Sequence, residues 1–339
     1  MRAIVLVGGF GTRLRPLTLT SPKQMLPVAG RPMIEDVLDH LRHHGVDEVV
    51  LSLGYRPDAF SDAYPEAVCS GVRLVYAVEP EPLDTAGAIA FAARHGGIDE
   101  RFLVVNGDVL TELDVSALVA FHDETGAEGT IALTRVEDPS QFGVVPTDDE
   151  GRVLAFVEKP PPGEAPTDLI NAGYYVLEAS VLDRVPSGRK VNIERETFPA
   201  IVADGRLFAR PDDGYWLDVG TPERLLQASL DILDGKRAMR IDGGRLLCGS
   251  ASVHADADVR RSVVGDGCRI DAGATVEDAV LLPGVVVESG ATVRHSVVGA
   301  SAIVSAGSSV LDLTVLGDCV RTVPGETLSG VRVPDPDTA

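Results

Sequence analysis

The sequence predicts an α/β protein: a mostly parallel sheet flanked by helices, followed by a C-terminal parallel β-helix. Three observations carry that expectation. Short apolar runs alternate with amphipathic stretches in the first part of the chain, the pattern turns strand-rich from about residue 128 to about 220, and beyond residue 247 aliphatic side chains recur every 17 residues. Repeated strand–helix units imply a parallel sheet that binds ligands at the carboxyl ends of its strands.

Residues 3–7, 48–53, 72–78 and 102–106 are apolar runs of strand length. Between them, residues 32–44 place Met33, Val37, Leu38 and Leu41 at helical spacing, open with a proline in the first turn and stop at Gly45. Residues 85–95 and 115–124 show the same helical pattern. The strand-rich stretch begins with residues 130–136 and is interrupted by Pro160, Pro161 and Pro162. It reads as a substrate-side elaboration of the same domain. A helix over residues 222–233 carries Leu225, Leu226, Leu230 and Leu233 and ends at Asp234-Gly235.

The C-terminal period is countable. Val253, Ile270, Val287 and Val304 are spaced by 17 residues, as are Val259, Val276, Val293 and Val310, and Val264, Leu281, Val298 and Val315. Gly273, Gly290 and Gly307 keep the same register, as do Ala255, Ala272, Ser289 and Ala306. One inward aliphatic residue per face with tight turns between faces makes a three-sided coil. The chain thus divides into a domain over residues 1–235, a linker over 236–246 and a β-helix of about four 17-residue coils over 247–333. The segment resembles hexapeptide-repeat left-handed β-helices, and its handedness is taken from that resemblance. Such coils can carry an acyltransferase site with a histidine base, and His254 and His295 are available. Four coils without a second substrate signature favour a structural or oligomerising role, and a homo-oligomer is expected.

Composition excludes several functions. Thirty Lys and Arg against 51 Asp and Glu give a formal net charge of −21, which repels nucleic acid and anionic membrane. A phosphate partner must therefore be met by a local cationic cluster. The basic residues are mostly Arg, and only Lys23, Lys159, Lys190 and Lys236 are Lys. Cys69, Cys248, Cys268 and Cys319 lie far apart without a Cys-x-x-Cys, so neither a zinc site nor a disulfide framework is signalled. No run approaches the ~20 apolar residues of a membrane span, and residues 3–7 are too short for a signal-peptide core. The cytoplasm is the expected compartment.

The first strand empties into Gly8-Gly9-Phe10-Gly11-Thr12-Arg13-Leu14-Arg15-Pro16-Leu17-Thr18, followed by Pro22-Lys23. Glycines after a strand let backbone N–H groups approach a polyphosphate. The dinucleotide fingerprint needs a third glycine where Leu14 stands, and the Walker pattern is absent. The loop resembles the signature of sugar-1-phosphate nucleotidyltransferases, the nucleotide-diphosphate-sugar pyrophosphorylases. Glu79-Pro80-Glu81-Pro82-Leu83-Asp84-Thr85-Ala86-Gly87, Asn106-Gly107-Asp108, Phe142-Gly143-Val144-Val145, Glu158-Lys159-Pro160, Asn171-Ala172-Gly173-Tyr174 and Trp216-Leu217-Asp218-Val219-Gly220-Thr221 match the same family in the same order.

That resemblance implies a Rossmann-like sheet and transfer of a nucleoside monophosphate from a nucleoside triphosphate to a sugar 1-phosphate, with release of pyrophosphate. Position by position it implies that Gly8, Gly9, Gly11 and Thr12 cradle the triphosphate, Arg13 binds the departing phosphates and Lys23 steadies the α-phosphate. Asp108 and Asp218 would share a Mg²⁺. Glu79, Asp84 and Thr85 fall on the nucleotide, while Lys159 would hold the sugar phosphate and Glu158, Asn171 and Gly143 the sugar hydroxyls. A phosphate monoester with a second pKa near ~6 is already largely dianionic at neutral pH, so no general base is required. The chemistry is the positioning of two polyanions by cations and a metal.

A carboxylate at Glu79 only accepts hydrogen bonds, which suits the adjacent N1–H and N2–H₂ donors of guanine. GTP and mannose 1-phosphate are the expected substrates. Asp84 stands where the pattern has Gly, and Gln24 where it has Pro. These departures leave room for a sugar-like acceptor such as a cyclitol phosphate. Adenylyl, uridylyl or thymidylyl transfer to glucose 1-phosphate and a non-catalytic nucleotide-sugar-binding regulator are the competing readings. Structural readings compete at single positions. Asp108 could begin a turn, Lys159 could be a solvated loop charge, Asn171 could be turn chemistry, and Arg15 could pair at the surface. Trp216 reads as packing beneath Asp218, and the polar face of a helix explains His40, His43 and His44.

Overall fold

The structure, a computed structural model, describes residues 1–237 and 245–335. Residues 238–244 of the expected linker lie outside the described residues. The chain forms two compact units that do not follow the sequence halves. One comprises Met1–Gly9 and Ile34–Trp216, the other Phe10–Met33 and Leu217–Ala339.

The first unit is built on β1 (Arg2–Leu6), α1 (Met33–His43), β2 (Glu48–Leu53), β3 (Val72–Val78), α2 (Asp84–His95), β4 (Phe102–Asn106) and α3 (Val115–Thr125). All six β2 residues are buried, including the polar Glu48 and Ser52, so this central strand is covered on both faces rather than alternating. β1 lies between β2 and β4, and Ile4 registers with Val50 on one side and Val104 on the other. The parallel order β3-β2-β1-β4 reverses direction between β1 and β4. In open parallel sheets the crevice at such a reversal is where ligands bind.

Helix boundaries follow local chemistry. The Asp114 carboxylate accepts from the Ala117 N–H at 2.9 Å to open α3, and Gly126 closes it in the left-handed conformation. α2 buries Ile89 together with Ala86, Gly87, Ala88, Ala90, Ala92 and Ala93, small residues that let it lie close to the sheet.

The strand-rich part extends the same sheet through β5 (Gly129–Arg135), β6 (Gly143–Val144), β7 (Val157–Glu158), β8 (Leu169–Leu177) and β9 (Leu207–Pro211). β8 runs antiparallel to β4 and to β5, and β6 carries β7 at the edge. The β5–β8 register shifts between Asn171 and Tyr175. Such bulges re-aim side chains.

The chain crosses into the second unit within β10 (Trp216–Asp218) and continues through α4 (Pro222–Leu233), capped by the Thr221 hydroxyl. Three parallel ladders of six, four and five strands follow, consistent with a left-handed β-helix. Val253, Ile270, Val287 and Val304 register with one another, as do Val259, Val276, Val293 and Val310. The third column is corrected at its end: Val298 registers with Leu316, not Val315. One extra residue enters that coil near Asp312 and Leu313, both with positive φ (55° and 62°). The ladder carries a further rung on either side of that column, Leu246–Leu247 and Arg332–Val333. Cys268, Val285 and Ala302 fill the interior beside the aliphatic columns, as do Ala274 and Ala291.

Candidate active site

In the first unit, β1 delivers Gly8 and β4 delivers Gly107 and Asp108 on either side of the sheet reversal. The Gly107 N–H donates to the Leu6 carbonyl at 3.0 Å, and a Cβ at Gly107 would lie 2.7 Å from Val7 Cγ1. Gly8 and Gly54 sit back to back, for a Cβ on Gly54 would lie 2.9 Å from the Gly8 carbonyl oxygen. Gly54 is a loop residue that the motif reading missed.

Glu79 closes this corner. Its Oε1 would stand 3.3 Å from a Cβ on Gly8 and accepts from the Ser52 hydroxyl at 3.0 Å, while Oε2 accepts from the Leu83 N–H at 3.2 Å. A carboxylate has about four acceptor positions. Each oxygen of Glu79 therefore keeps capacity for a further donor while its orientation is fixed.

Asp84 and Thr85 have other partners. Asp84 opens α2 with φ 62°, and its Oδ1 accepts from the Thr85 N–H at 2.7 Å and from Asn192 Nδ2 at 3.0 Å. The Thr85 hydroxyl accepts from the Ile193 N–H at 2.8 Å. Both side chains tie the start of α2 to a segment more than a hundred residues away.

A polar cluster forms at the sugar-side strands. Gly143 registers with Glu158, and a Cβ on Gly143 would lie 2.5 Å from the Phe156 ring. Lys159 is exposed, holds φ 47° and lies 3.7 Å from the Glu158 carboxylate. Asn171 Nδ2 donates to the Tyr175 hydroxyl at 2.8 Å and to Glu194 Oε1 at 2.9 Å, and its Oδ1 accepts from the Gly173 N–H at 2.9 Å. At Gly173, with φ 76°, a Cβ would strike the Asn106 amide at 2.7 Å, so the two Asn-Gly motifs abut.

Glu194 and Tyr175 are members that sequence reasoning missed. Burial, aided by the Glu158 charge, raises the Glu194 pKa above the usual carboxylate range. Burial and the charges of Glu194, Asp108 and Glu158 raise that of Tyr175. Trp216 is a packing residue, donating from Nε1 to the Ala172 carbonyl at 2.9 Å and meeting Phe142 edge-on. Of the three histidines only His43 is exposed. The His40 ring packs edge-on against Tyr174, and His44, just beyond the helix, meets the Ser116 hydroxyl at 2.8 Å.

In the second unit, Gly11 (φ 61°) starts a tight turn over Thr12–Leu14, and its carbonyl accepts from the Thr18 hydroxyl at 2.8 Å. A Cβ there would lie 3.0 Å from Thr18 Cγ2 and 3.3 Å from Lys23 Cβ, so the turn brings Lys23 alongside. Leu14 and Leu17 are buried anchors, and Thr12 and Arg13, just before Leu14, stay exposed. Beyond β10, a Cβ on Gly220 would lie 2.6 Å from Arg13 Nη2 and 2.8 Å from Asp218 Oδ1. Gly11, Thr12, Arg13, Lys23 and Asp218 are thus gathered in one unit, and Gly8, Glu79, Asp108 and the sugar-side cluster in the other. Among the described residues no group of three or more His, Cys, Asp or Glu could hold a metal ion, and no helix is long and apolar enough to cross a membrane.

A glycine loop leaving the first strand of a parallel sheet at its reversal, with cations on the loop and carboxylates at strand ends, defines a phosphate-handling nucleotide enzyme. The nucleotidyl transferase family model matches residues 2–235, and the GMPPB C-terminal domain model matches residues 241–336. The chain is 41% identical over 300 residues to mannose-1-phosphate guanylyltransferase of Mycobacterium tuberculosis, covering 81% of this chain and 82% of that one. It is 41% identical over 288 residues to a probable mannose-1-phosphate guanylyltransferase 3 of Oryza sativa subsp. japonica, covering 82% and 78%. Among solved structures, HddC from Yersinia pseudotuberculosis complexed with GMP-PN is 28% identical, with a TM-score of 0.57 over 67% of this chain and 97% of that one. The chain belongs to the nucleotidyl transferase family and is a sugar-1-phosphate nucleotidyltransferase. Members of the family generally use a divalent metal.

Proposed function

We propose that the chain transfers GMP from GTP to mannose 1-phosphate, forming GDP-mannose and pyrophosphate. The observation that carries this reading is Glu79, an oriented acceptor beside Gly8 with room for two donors. Guanine presents two adjacent donors, uracil and thymine one, and adenine none at N1. The names of the Mycobacterium and Oryza relatives point the same way.

A phosphate oxygen of mannose 1-phosphate attacks the α-phosphorus of GTP, and the bond from that phosphorus to the bridging oxygen breaks to release pyrophosphate. The nucleophile is already dianionic, so no residue removes a proton. Gly8, Gly9, Gly11 and Thr12 cradle the triphosphate, Arg13 neutralises the departing β- and γ-phosphates, and Lys23 binds the α-phosphate. Lys159 holds the phosphate of the sugar, while Glu158, Asn171 and Gly143 orient its hydroxyls. Asp84 and Thr85 act through the segment they fix rather than by direct contact with the base. Asp108 and Asp218 supply the hard oxygen donors that Mg²⁺ requires, and the ion when bound neutralises phosphate charge. Cytoplasmic residence and a homo-oligomer complete the reading, the former supported by four free thiols.

The test is pyrophosphate release from GTP, ATP, UTP and dTTP against mannose, glucose and cyclitol phosphates. GTP with mannose 1-phosphate is expected to give the highest kcat/KM, with GDP-mannose as product. Equal rates with ATP or UTP on every acceptor would remove the guanine assignment.

A further inference from the structure

The arginine-bearing loop is fastened by the β-helix at three points. Arg332 Nη1 donates to the Arg13 carbonyl at 3.0 Å and to the Arg15 carbonyl at 3.3 Å. Asp318 Oδ2 accepts from the Thr20 hydroxyl. Pro16 lies against Gly317, where a Cβ would come within 3.1 Å of Pro16 Cβ and 3.2 Å of Pro334 Cδ.

These residues depart from the repeat in which they sit. Leu246, Val263, Val280, Val297, Val315 and Arg332 occupy one ladder position, apolar on every rung until the last. Arg332 also has no carboxylate partner among the described residues, in a chain of net charge −21. Its two hydrogen bonds go instead to the main chain of the loop. Asp318 shows the same division. Its Oδ1 accepts from the Ala300 N–H at 2.8 Å, as Asp266 accepts from the Ser250 N–H at 2.7 Å at the same corner three coils earlier. The second oxygen of Asp318 is given to the loop. The 18-residue coil, irregular at Asp312 and Leu313, immediately precedes these contacts and shifts Gly317 and Asp318 by one residue against a strict repeat.

We propose that Arg332 is a positioning residue for triphosphate binding, holding the backbone on either side of Leu14 so that the Arg13 side chain meets the departing phosphates, with Asp318 and Gly317 as supporting tethers. The β-helix thereby becomes a working part of the triphosphate site. This rests on reading Gly8–Lys23 as the phosphate loop. A loop that must be ordered at each binding event costs affinity for the ligand it holds. The loss falls on GTP and not on the sugar phosphate.

The experiment compares steady-state constants of the full-length chain for Arg332→Ala, Arg332→Lys, Asp318→Asn, Gly317→Ala and Arg13→Ala, with Arg294→Ala as a β-helix charge control. Arg332→Ala is expected to raise the KM for GTP about tenfold, the order of two lost hydrogen bonds. The KM for mannose 1-phosphate stays within about twofold, and Arg332→Lys restores part of the loss by donating to the same carbonyls. A purely structural role would lower the amount of active enzyme, and so the apparent kcat, without moving either KM. A GTP KM unchanged in Arg332→Ala while Arg13→Ala is inactive overturns the inference alone. If Arg13→Ala also retains full activity, the phosphate-loop reading falls with it. Should Arg332→Ala not accumulate as folded protein, Asp318→Asn and Gly317→Ala decide: a raised GTP KM supports the inference, and an unchanged one overturns it.

Discussion

The sheet of the first unit and the β-helix of the second solve different problems with similar apolar residues. In the β-helix, each rung repeats its neighbour's packing, so position in the 17-residue period determines environment. In the sheet unit, the residues of the proposed site stand where order breaks: at the reversal between β1 and β4, at the Asn171–Tyr175 register shift and at positive φ, as in Lys159. The lesson is that regular structure supplies rigidity and departures from it supply function. The β-helix obeys the same rule, since its departures, the 18-residue coil and Arg332, fall where it holds the loop.

That contrast can be broken by substitution. Arg13→Ala, at an irregular position, is expected to lower kcat/KM about a thousandfold, the scale of removing a group that stabilises phosphoryl-transfer charge, with the melting temperature unchanged. A loss below tenfold would show that the loop does not carry the chemistry. Val293→Ala, at a fully buried regular position of the β-helix, is expected to lower stability by about 1–3 kcal/mol in denaturant titration and leave both KM values alone. A changed KM there would mean that regular rungs are also coupled to the site. Lys159→Ala is expected to raise the KM for mannose 1-phosphate roughly tenfold, the order of one lost charge-assisted hydrogen bond. The GTP KM should not move, and an equal rise in both constants would contradict a sugar-phosphate role.

The smallest effect sharpens the account of the polar cluster. Because the Glu194 pKa is raised in the fold, its ionisation opposes folding once the pH exceeds the unfolded value near ~4.3. Glu194→Gln should therefore melt higher than the parent at pH 7, with the gap closing as the pH falls toward ~4.3. A variant that melts lower at pH 7, or by the same margin at both pH values, would contradict the assigned burial.

Much of the fold was legible because its determinants are local. Apolar runs gave β1 to β4 to within a residue, and the period placed two β-helix columns along their whole length. The third failed only where an inserted residue at Asp312–Leu313 changed the count. The corner residues Ala274, Ala291 and Cys268 were missed because small side chains of mixed chemistry give no hydropathy signal. For the site, motif residues were visible one by one, but their partners were not. Asn192 reaches Asp84 across 108 residues, and Arg332 reaches Arg13 across 319, with no spacing rule to link either pair. Glu194 stands in a charged stretch that resembles a solvated loop and is half-buried only by tertiary packing.

The most direct test of the proposed reaction is nucleotide selectivity measured on the parent chain and on Glu79→Gln with mannose 1-phosphate as acceptor. The account predicts that GTP has the highest kcat/KM of the four triphosphates and that Glu79→Gln narrows that advantage by lowering the GTP value alone. A parent chain that uses ATP or UTP as well as GTP, or a variant that loses all four nucleotides equally, would contradict it.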